Sequence, residues 1–312
     1  MCQFKSGIIF KDRVVVAPDG NESHSDLLET LGVEDDCFAW AKKFVRAELV
    51  PKSDEWWISP EEHPEKWTFI VDQDIVPDWF DREEAEGRFR FAVCEWWKAH
   101  VLVNQNIETL SEGFYRIKGC EVGRLTGNVE VGNLVSSQVH MVDKKATIGS
   151  VLNSKIVTIT GRSFVHIVEY SEIGTMRENA TIEMLRCTKV DKMEGISLIK
   201  YTLDRSSIET MKMHARVLTA KYDTNIHIME DSSCVEKLID MSNIEVMRNQ
   251  SQVICISGRS RVGIMKDFSY IGIKEGISII GTMEDYSIAR DCRGDSIKIL
   301  TPENFDLIAY KK

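Results

Sequence analysis

Residues 232–267 repeat one short pattern of apolar and polar positions four times. An aliphatic residue, here called the anchor, recurs every nine residues, with a serine two residues before it and Leu, Ile or Met three residues after it. In steps of eight or nine, anchors extend over the second half of the chain. They are Val122, Val131, Val139, Ile148, Ile156, Val165, Ile173, Ile182, Val190, Ile199, Ile208, Val217, Ile226, Val235, Ile244, Val253, Val262, Ile271, Ile280, Ile288 and Ile297.

This period predicts a β-solenoid built from strand–corner units of eight or nine residues. Helical repeats run from about 33 residues and coiled coils repeat every seven, so neither fits. Residues two apart in a strand share a face, whereas a residue three apart turns inward only if a bend intervenes. Two units per coil is the simplest closure, because alternating steps of eight and nine indicate paired, unequal sides. Three units per coil is the alternative.

The first hundred residues differ from the rest in composition. They hold all seven tryptophans, five of the six prolines, and 12 Lys and Arg against 22 Asp and Glu, which leaves 27 against 27 elsewhere. We therefore predict a Trp-rich, acidic α+β domain at 1–103, the all-β solenoid at 104–300, and a cap at 301–312 that covers unpaired strand edges. The segment FYRIKG at 114–119 is predicted to begin the first coil.

Within the α+β domain, alternation and capping residues predict individual elements. Strands are expected at 4–10, 13–18, 42–51 and 66–74, the first two joined as a hairpin. A short helix is expected at 23–32, and a longer one begins at the N-cap Asp81 and ends near Val103.

Targeting and redox features are few. No apolar run approaches the length of a membrane span, and the eight cysteines contain no CxxC pair. We expect a soluble cytoplasmic protein with reduced thiols, no metal and no cofactor.

Cys2 is the sharpest candidate for chemistry. Removal of Met1 would leave an N-terminal cysteine that uses its own amine as base, as in amidotransferase-type enzymes, although Gln3 replaces the glycine usual in those families. His24 lies beside Ser23, Ser25 and Asp26 in a possible catalytic cluster, although a helix N-cap explains this stretch equally well. Asp72 and Asp74 alternate with the buried side of a strand and are read as structural.

The solenoid carries no motif for nucleotide or metal chemistry. Its balanced charge makes nucleic acid an unexpected partner. Polar residues vary from coil to coil without forming a column, as in Arg162, His166, Glu172, Lys192, Arg205, His214, His227 and Arg259.

The stretches MCQFKSGIIFKDRVVV, SHSDLLETLG, KFVRAEL and WTFIVDQDIVPDWF resemble a set of uncharacterised proteins of gut bacteriophages and prophages. In those proteins such an N-terminal domain is followed by short β repeats. The resemblance covers about the first hundred residues and implies a phage origin, hence the host cytoplasm or the virion. It implies no catalytic site.

These observations favour a non-enzymatic binding or scaffold protein that presents the solenoid surface to a protein or other macromolecule. Two alternatives stay open: an amidohydrolase with Cys2 and His24 in its site and the solenoid as an assembly arm, and a structural component of a virion or fibre. Solenoid faces and ends also make a homo-oligomer an expected assembly, and no membrane partner is expected.

Overall fold

The computed structural model of the protein describes residues 4–18, 20–34 and 43–292. Its contacts divide the chain into two units. Unit 1 comprises Met1–Val103 with Phe114–Lys118, and unit 2 comprises Asn104–Gly113 with Gly119–Lys312. A mixed α and β region followed by a parallel β-solenoid of about 11 turns confirms the predicted fold class.

Within the described residues the chain forms two α-helices and 27 β-strands, with a 3₁₀ turn at Pro64–Lys66. In chain order they are β1 Lys5–Phe10, β2 Val14–Val16, α1 His24–Thr30, β3 Phe44–Pro51, β4 Trp67–Val71, α2 Arg82–His100, β5 Val101–Val103, β6 Asn106–Leu110, β7 Phe114–Lys118, β8 Glu121–Leu125, β9 Glu130–Val135, β10 Gln138–Val142, β11 Thr147–Leu152, β12 Lys155–Ile159, β13 Phe164–Glu169, β14 Glu172–Met176, β15 Thr181–Arg186, β16 Lys189–Met193, β17 Leu198–Leu203, β18 Ser207–Met211, β19 Arg216–Ala220, β20 Asn225–Met229, β21 Cys234–Leu238, β22 Asn243–Met247, β23 Gln252–Ile256, β24 Arg261–Met265, β25 Tyr270–Lys274, β26 Ile279–Met283 and β27 Ile288–Cys292.

Unit 1 is built on a four-stranded antiparallel sheet with the order β2-β1-β3-β4. Helix α1 packs on one face, where Leu27 and Leu28 join Ile8 and Phe10 in a buried cluster. Helix α2 packs on the other face, because side chains alternate between the faces of a strand. There a Cβ on Gly7 would lie 2.9 Å from the Phe89 ring and 2.6 Å from a backbone oxygen, so only glycine fits.

Helix α2 begins as predicted and ends earlier. Asp81 is its N-cap, with a side chain that accepts a hydrogen bond from the Glu84 amide at 2.9 Å. The helix stops at His100, and Val101–Val103 forms β5, which pairs in parallel with β7. The predicted helical end near Val103 is therefore wrong, since the β-branched VLV segment finds a strand partner that helical spacing does not reveal.

Unit 2 winds as a solenoid with two strands in each coil. The even-numbered strands from β6 to β26 form one parallel sheet, and the odd-numbered strands from β9 to β27 lie in the other. Coil-to-coil separation is 15 residues from β6 to β8, then 17 residues, and 18 residues in the later coils, as in Ile148 beside Val165 and Val235 beside Val253. The favoured prediction of two strand–corner units per coil is confirmed, and the two are unequal in the 17-residue coils and equal in the 18-residue coils.

The anchors form two continuous buried columns. The anchors from Val122 to Ile280 are at most 1% exposed, and those up to Val262 each pair with the anchor of the next coil in their own sheet. Apolar residues three positions after the anchors are buried beside them, as in Leu125, Met176 and Met247. The stacked aliphatic columns are the core of unit 2.

Two sequence predictions about the ends of the solenoid are wrong. Strand β6, which lies before FYRIKG, already pairs with β8, so the coils begin earlier than 114. Near the other end, Ile271 pairs with Ala289, and Ile288 is exposed. Ile288 is thus not an anchor, because the later coils keep their 18-residue period and the step of eight breaks it. Ile297 and the predicted cap at 301–312 lie outside the described residues.

Each strand of the solenoid ends in a corner. We call it the even corner after an even-numbered strand and the odd corner after an odd-numbered strand. Every anchor from Val122 to Ile280 is followed five residues later by a residue with positive φ, as at Gly161, Asp231 and Asn249. Glycine, Asn and Asp adopt this conformation at the lowest cost.

At the even corner, acidic side chains satisfy the backbone of the preceding coil. The amide of Asn249 donates to Asp267 at 2.8 Å, and the amide of Asp267 donates to Asp285 at 3.2 Å. Met213 and Asp231 are joined in the same way. The carboxylates of Asp231, Asp267 and Asp285, which we call the carboxylate ladder, therefore accept hydrogen bonds from corner amides that no backbone carbonyl pairs with.

At the odd corner, buried hydroxyl groups accept hydrogen bonds from backbone amides of the preceding coil. The Ser154 hydroxyl donates to the Leu152 carbonyl at 2.8 Å and accepts from the Ser137 amide at 3.1 Å. Ser171 repeats this arrangement one coil further on. The small residue of the repeat is thus a hydrogen-bonding residue at this corner.

We predict that Ser154→Ala and Ser251→Ala differ in their effect on stability. Both serines are buried two residues before an anchor, but within the described residues the Ser251 hydroxyl has no hydrogen-bond partner. Ser154→Ala leaves the Ser137 amide unsatisfied and should lower the free energy of unfolding by about 1–3 kcal/mol, while Ser251→Ala should leave it unchanged or slightly raise it. Urea denaturation followed by circular dichroism measures both. Equal losses would contradict the assignment of a hydroxyl ladder.

Candidate functional site

The two predicted catalytic residues fare differently. Cys2 lies outside the described residues, so its pairing with His24 stays a prediction. His24 is the first residue of α1 and is only 9% exposed.

His24 makes one hydrogen bond and one close contact with a carboxylate. Its Nε2 lies 3.1 Å from the Ala47 carbonyl oxygen, and its Nδ1 lies 3.2 Å from Asp72 Oδ2. Since a carbonyl oxygen only accepts, Nε2 carries a proton and donates it. Nδ1 is consequently the nitrogen that faces the acidic side chains.

Glu48 completes a three-residue cluster with His24 and Asp72. It lies in β3, and Asp72 follows the last residue of β4, so α1, β3 and the end of β4 meet here. One ligand atom from each of His24, Glu48 and Asp72 lies within 4.8 Å of the other two. We call these three residues the HED cluster.

Burial raises the pKa of the Glu48 carboxyl, and the nearby charge of Asp72 raises it further, whereas His24 opposes the shift. Within the described residues the Glu48 carboxylate has no hydrogen bond or ion pair of its own. A half-buried acid therefore lies beside His24 and Asp72 without a hydrogen bond to either of them.

The side chains of Ser23 and Asp26, predicted to group with His24, instead make hydrogen bonds with the start of α1 and the loop before it. Ser23 is the N-cap of α1, with a hydroxyl that accepts from the Asp26 amide at 3.2 Å. The Asp26 carboxylate accepts from Asn21 Nδ2 at 2.8 Å. The helix-cap alternative accounts for both residues, and the acid beside His24 is Asp72.

Sequence reasoning noted Asp72 and missed Glu48. Asp72 stood out because it alternates with the buried side of a strand, but its role was interpreted as structural. Glu48 alternates with apolar residues in FVRAELV, a pattern equally typical of a solvent-facing strand position. The signal that could have identified Glu48 is its position in β3 beside the start of α1, and this is visible only once the strand and the helix are placed together.

A second polar group of unit 1 is deeply buried. Lys5 is 1% exposed, its Nζ lies 2.9 Å from Glu22 Oε1, and it lies over the Trp96 ring at 4.4 Å. Glu22 also accepts from the Ser6 amide at 2.8 Å and pairs with Arg116 at 3.6 Å. The Glu22 carboxylate therefore interacts with Lys5, the Ser6 amide and Arg116, and these contacts stabilise unit 1.

On the solenoid, variable polar residues pair between coils. His166 lies 3.0 Å from Glu183, and His227 lies 2.9 Å from Glu245. Exposed pairs of this kind contribute little stability each. They are typical of a solvated face.

Aromatic and aliphatic side chains are exposed at the corners. At the even corner, the Phe268 and Tyr286 rings stack with centroids 5.3 Å apart and planes 8° apart, and they are 63% and 72% exposed. Tyr170 is similarly exposed at the odd corner. The Phe268–Tyr286 pair is the candidate binding surface of unit 2.

Comparison with protein-family models, curated proteins and solved structures finds no match to this chain. In the described parts of the chain, neither helix combines the length and apolar character needed to cross a bilayer.

We predict slow alkylation of four thiols. Burial raises the pKa of Cys94, Cys234, Cys255 and Cys292, so less reactive thiolate is present near pH 8. Iodoacetamide should modify each more slowly than in the urea-unfolded chain, as quantified by peptide mass spectrometry. A reaction at the unfolded rate for any of the four would contradict this.

We predict that Glu48→Gln stabilises the protein at neutral pH in EDTA-containing buffer. The raised pKa means that folding favours the protonated carboxyl, so wild-type stability falls as pH rises above 4.5 through the folded-state pKa. The variant escapes this loss. Its advantage in denaturation midpoint should grow above pH 4.5 and vanish below it. An advantage that is independent of pH would show that the charge of Glu48 is not its source.

Proposed function

We propose that this chain is a non-enzymatic binding or scaffold protein whose solenoid presents the Phe268–Tyr286 pair to a protein partner. The stacked, exposed rings carry the proposal. Large exposed aromatic side chains are costly to leave in water and are enriched where proteins bind one another.

The construction of unit 2 supports this role. Anchors from Val122 to Ile280 are restricted to Val and Ile and are buried, while outward positions carry residues of every class. Because the fold depends on the repeated buried anchors, the outward-facing residues can change without loss of the fold. Such a scaffold suits recognition.

The surroundings of the aromatic pair indicate the chemistry of the partner. Asp267 and Asp285 of the carboxylate ladder directly precede the two rings, and Glu284 lies on the same corner in an ion pair with Lys266 at 3.0 Å. Aromatic faces and carboxylates together favour Arg or Lys flanked by apolar residues. We therefore propose a protein segment that is apolar and basic.

From the resemblance of the N-terminal stretches to phage proteins, we propose that the partner is a protein of an infected bacterium. We propose that the protein acts in the host cytoplasm during infection. Balanced charge over the solenoid half of the sequence makes nucleic acid a poor alternative partner.

We predict that Phe268→Ser combined with Tyr286→Ser abolishes partner capture. Serine already occupies the matching even-corner position at Ser232, so the fold should tolerate both changes. Biotinylated full-length protein is cross-linked in lysate of phage-infected cells, and captured proteins are quantified by mass spectrometry. Partners cross-linked near the even corner should fall at least about tenfold in the double variant.

Tyr170→Ser is the matched control, because Tyr170 is an equally exposed aromatic residue at the odd corner, where Ser136 shows that serine is accepted. It should retain the partners. Equal capture by all three proteins, or capture of nothing by the wild type, would refute the proposal.

A further inference from the structure

The HED cluster of unit 1 has the composition of a metal site rather than of a surface acid patch. It joins one imidazole nitrogen and two carboxylates from three separate elements, and His24 is nine-tenths buried. None of these residues contributes to the binding surface proposed for unit 2.

The orientation of His24 is the first observation that points to a cation. Histidines that bind metals almost always donate their other ring N–H to a carbonyl or carboxylate, which fixes the ring. Nε2 makes this bond to Ala47 at 3.1 Å, which leaves Nδ1, 3.2 Å from Asp72 Oδ2, as the ring nitrogen available to a metal ion.

The convergence of ligand atoms is the second. One ligand atom from each of His24, Glu48 and Asp72 lies within 4.8 Å of the other two, so a single ion can contact all three. The three residues come from α1, β3 and the residue that follows β4, so the fold itself brings these atoms together.

We propose that His24 Nδ1, Glu48 and Asp72 bind one divalent transition-metal ion, with Zn²⁺ as the probe. A mixed nitrogen and oxygen set suits such ions better than Mg²⁺, which prefers oxygen alone. Nδ1 and Asp72 Oδ2, 3.2 Å apart, already have a separation suited to zinc bonds of about 2.0–2.2 Å. Asp72 is 56% exposed, so its side chain can adjust and water can complete the coordination.

The proposal is tested with the full-length protein after EDTA treatment and dialysis. Isothermal titration should show one Zn²⁺ site per chain, with Mg²⁺ binding far more weakly. X-ray absorption at the zinc edge should give metal–ligand distances of about 2.0–2.2 Å, as for nitrogen and oxygen ligands, and not the roughly 2.3 Å of thiolate sulfur.

Conservative variants assign the ligands. Glu48→Gln and Asp72→Asn should each weaken Zn²⁺ binding at least about tenfold, while Asp74→Asn, an exposed acid two residues further along, should not. Zn²⁺ should also raise the melting temperature of the wild type and of Asp74→Asn more than that of the two ligand variants.

Three results would overturn the proposal. The first is the absence of Zn²⁺ binding to the wild type, which would leave His24 and Asp72 as an ion pair only. The second is unchanged affinity in both ligand variants. The third is a sulfur-ligated zinc, which would place the ion on the cysteines.

Discussion

Hydrogen bonding from each coil to the one before it is the interaction on which unit 2 depends. The Gln252 amide donates to the Ser233 carbonyl and the Arg261 amide to the Ser242 carbonyl, both at 2.9 Å, and this register recurs along both sheets. Because the backbone of one coil lies directly over that of the next, equivalent side chains stack. Aliphatic columns inside and varied side chains outside follow from this one constraint.

Corners are where that constraint is hardest to meet, because some backbone amides at or beside the residues with positive φ have no carbonyl partner in the adjacent coil. The protein answers with side chains: hydroxyls such as Ser154 at the odd corner, and carboxylates such as Asp267 at the even corner. Buried amides without partners are costly. Polar residues of the repeat are thus as much a part of the scaffold as the anchors. The change from 17 to 18 residues per coil also occurs at a corner, where Asp204 and Arg205 both take positive φ.

Unit 1 follows a different logic, because its antiparallel sheet brings distant segments together only once. Pairing of β3 with β4 sets Ala47 opposite Val71, and α1 begins above this point. His24, Glu48 and Asp72 converge there, whereas the solenoid distributes its polar residues evenly. The proposed metal site therefore depends on one localised cluster in unit 1, and the proposed binding surface depends on the exposed corners of unit 2.

The sequence by itself determined the solenoid, because the period of eight or nine residues is a local property that recurs in every strand and its corner. Stacking of the coils then places equivalent residues above one another. It failed at Ile288, where one aliphatic residue beside Ala289 satisfies the pattern equally well and only the pairing with Ile271 decides. In the site, His24 was found from its neighbours in the chain. Asp72 and Glu48 became its partners through strand register, which couples residues far apart in sequence and leaves no local signature. Tertiary structure alone decided the site, because proximity of side chains depends on how whole strands pair.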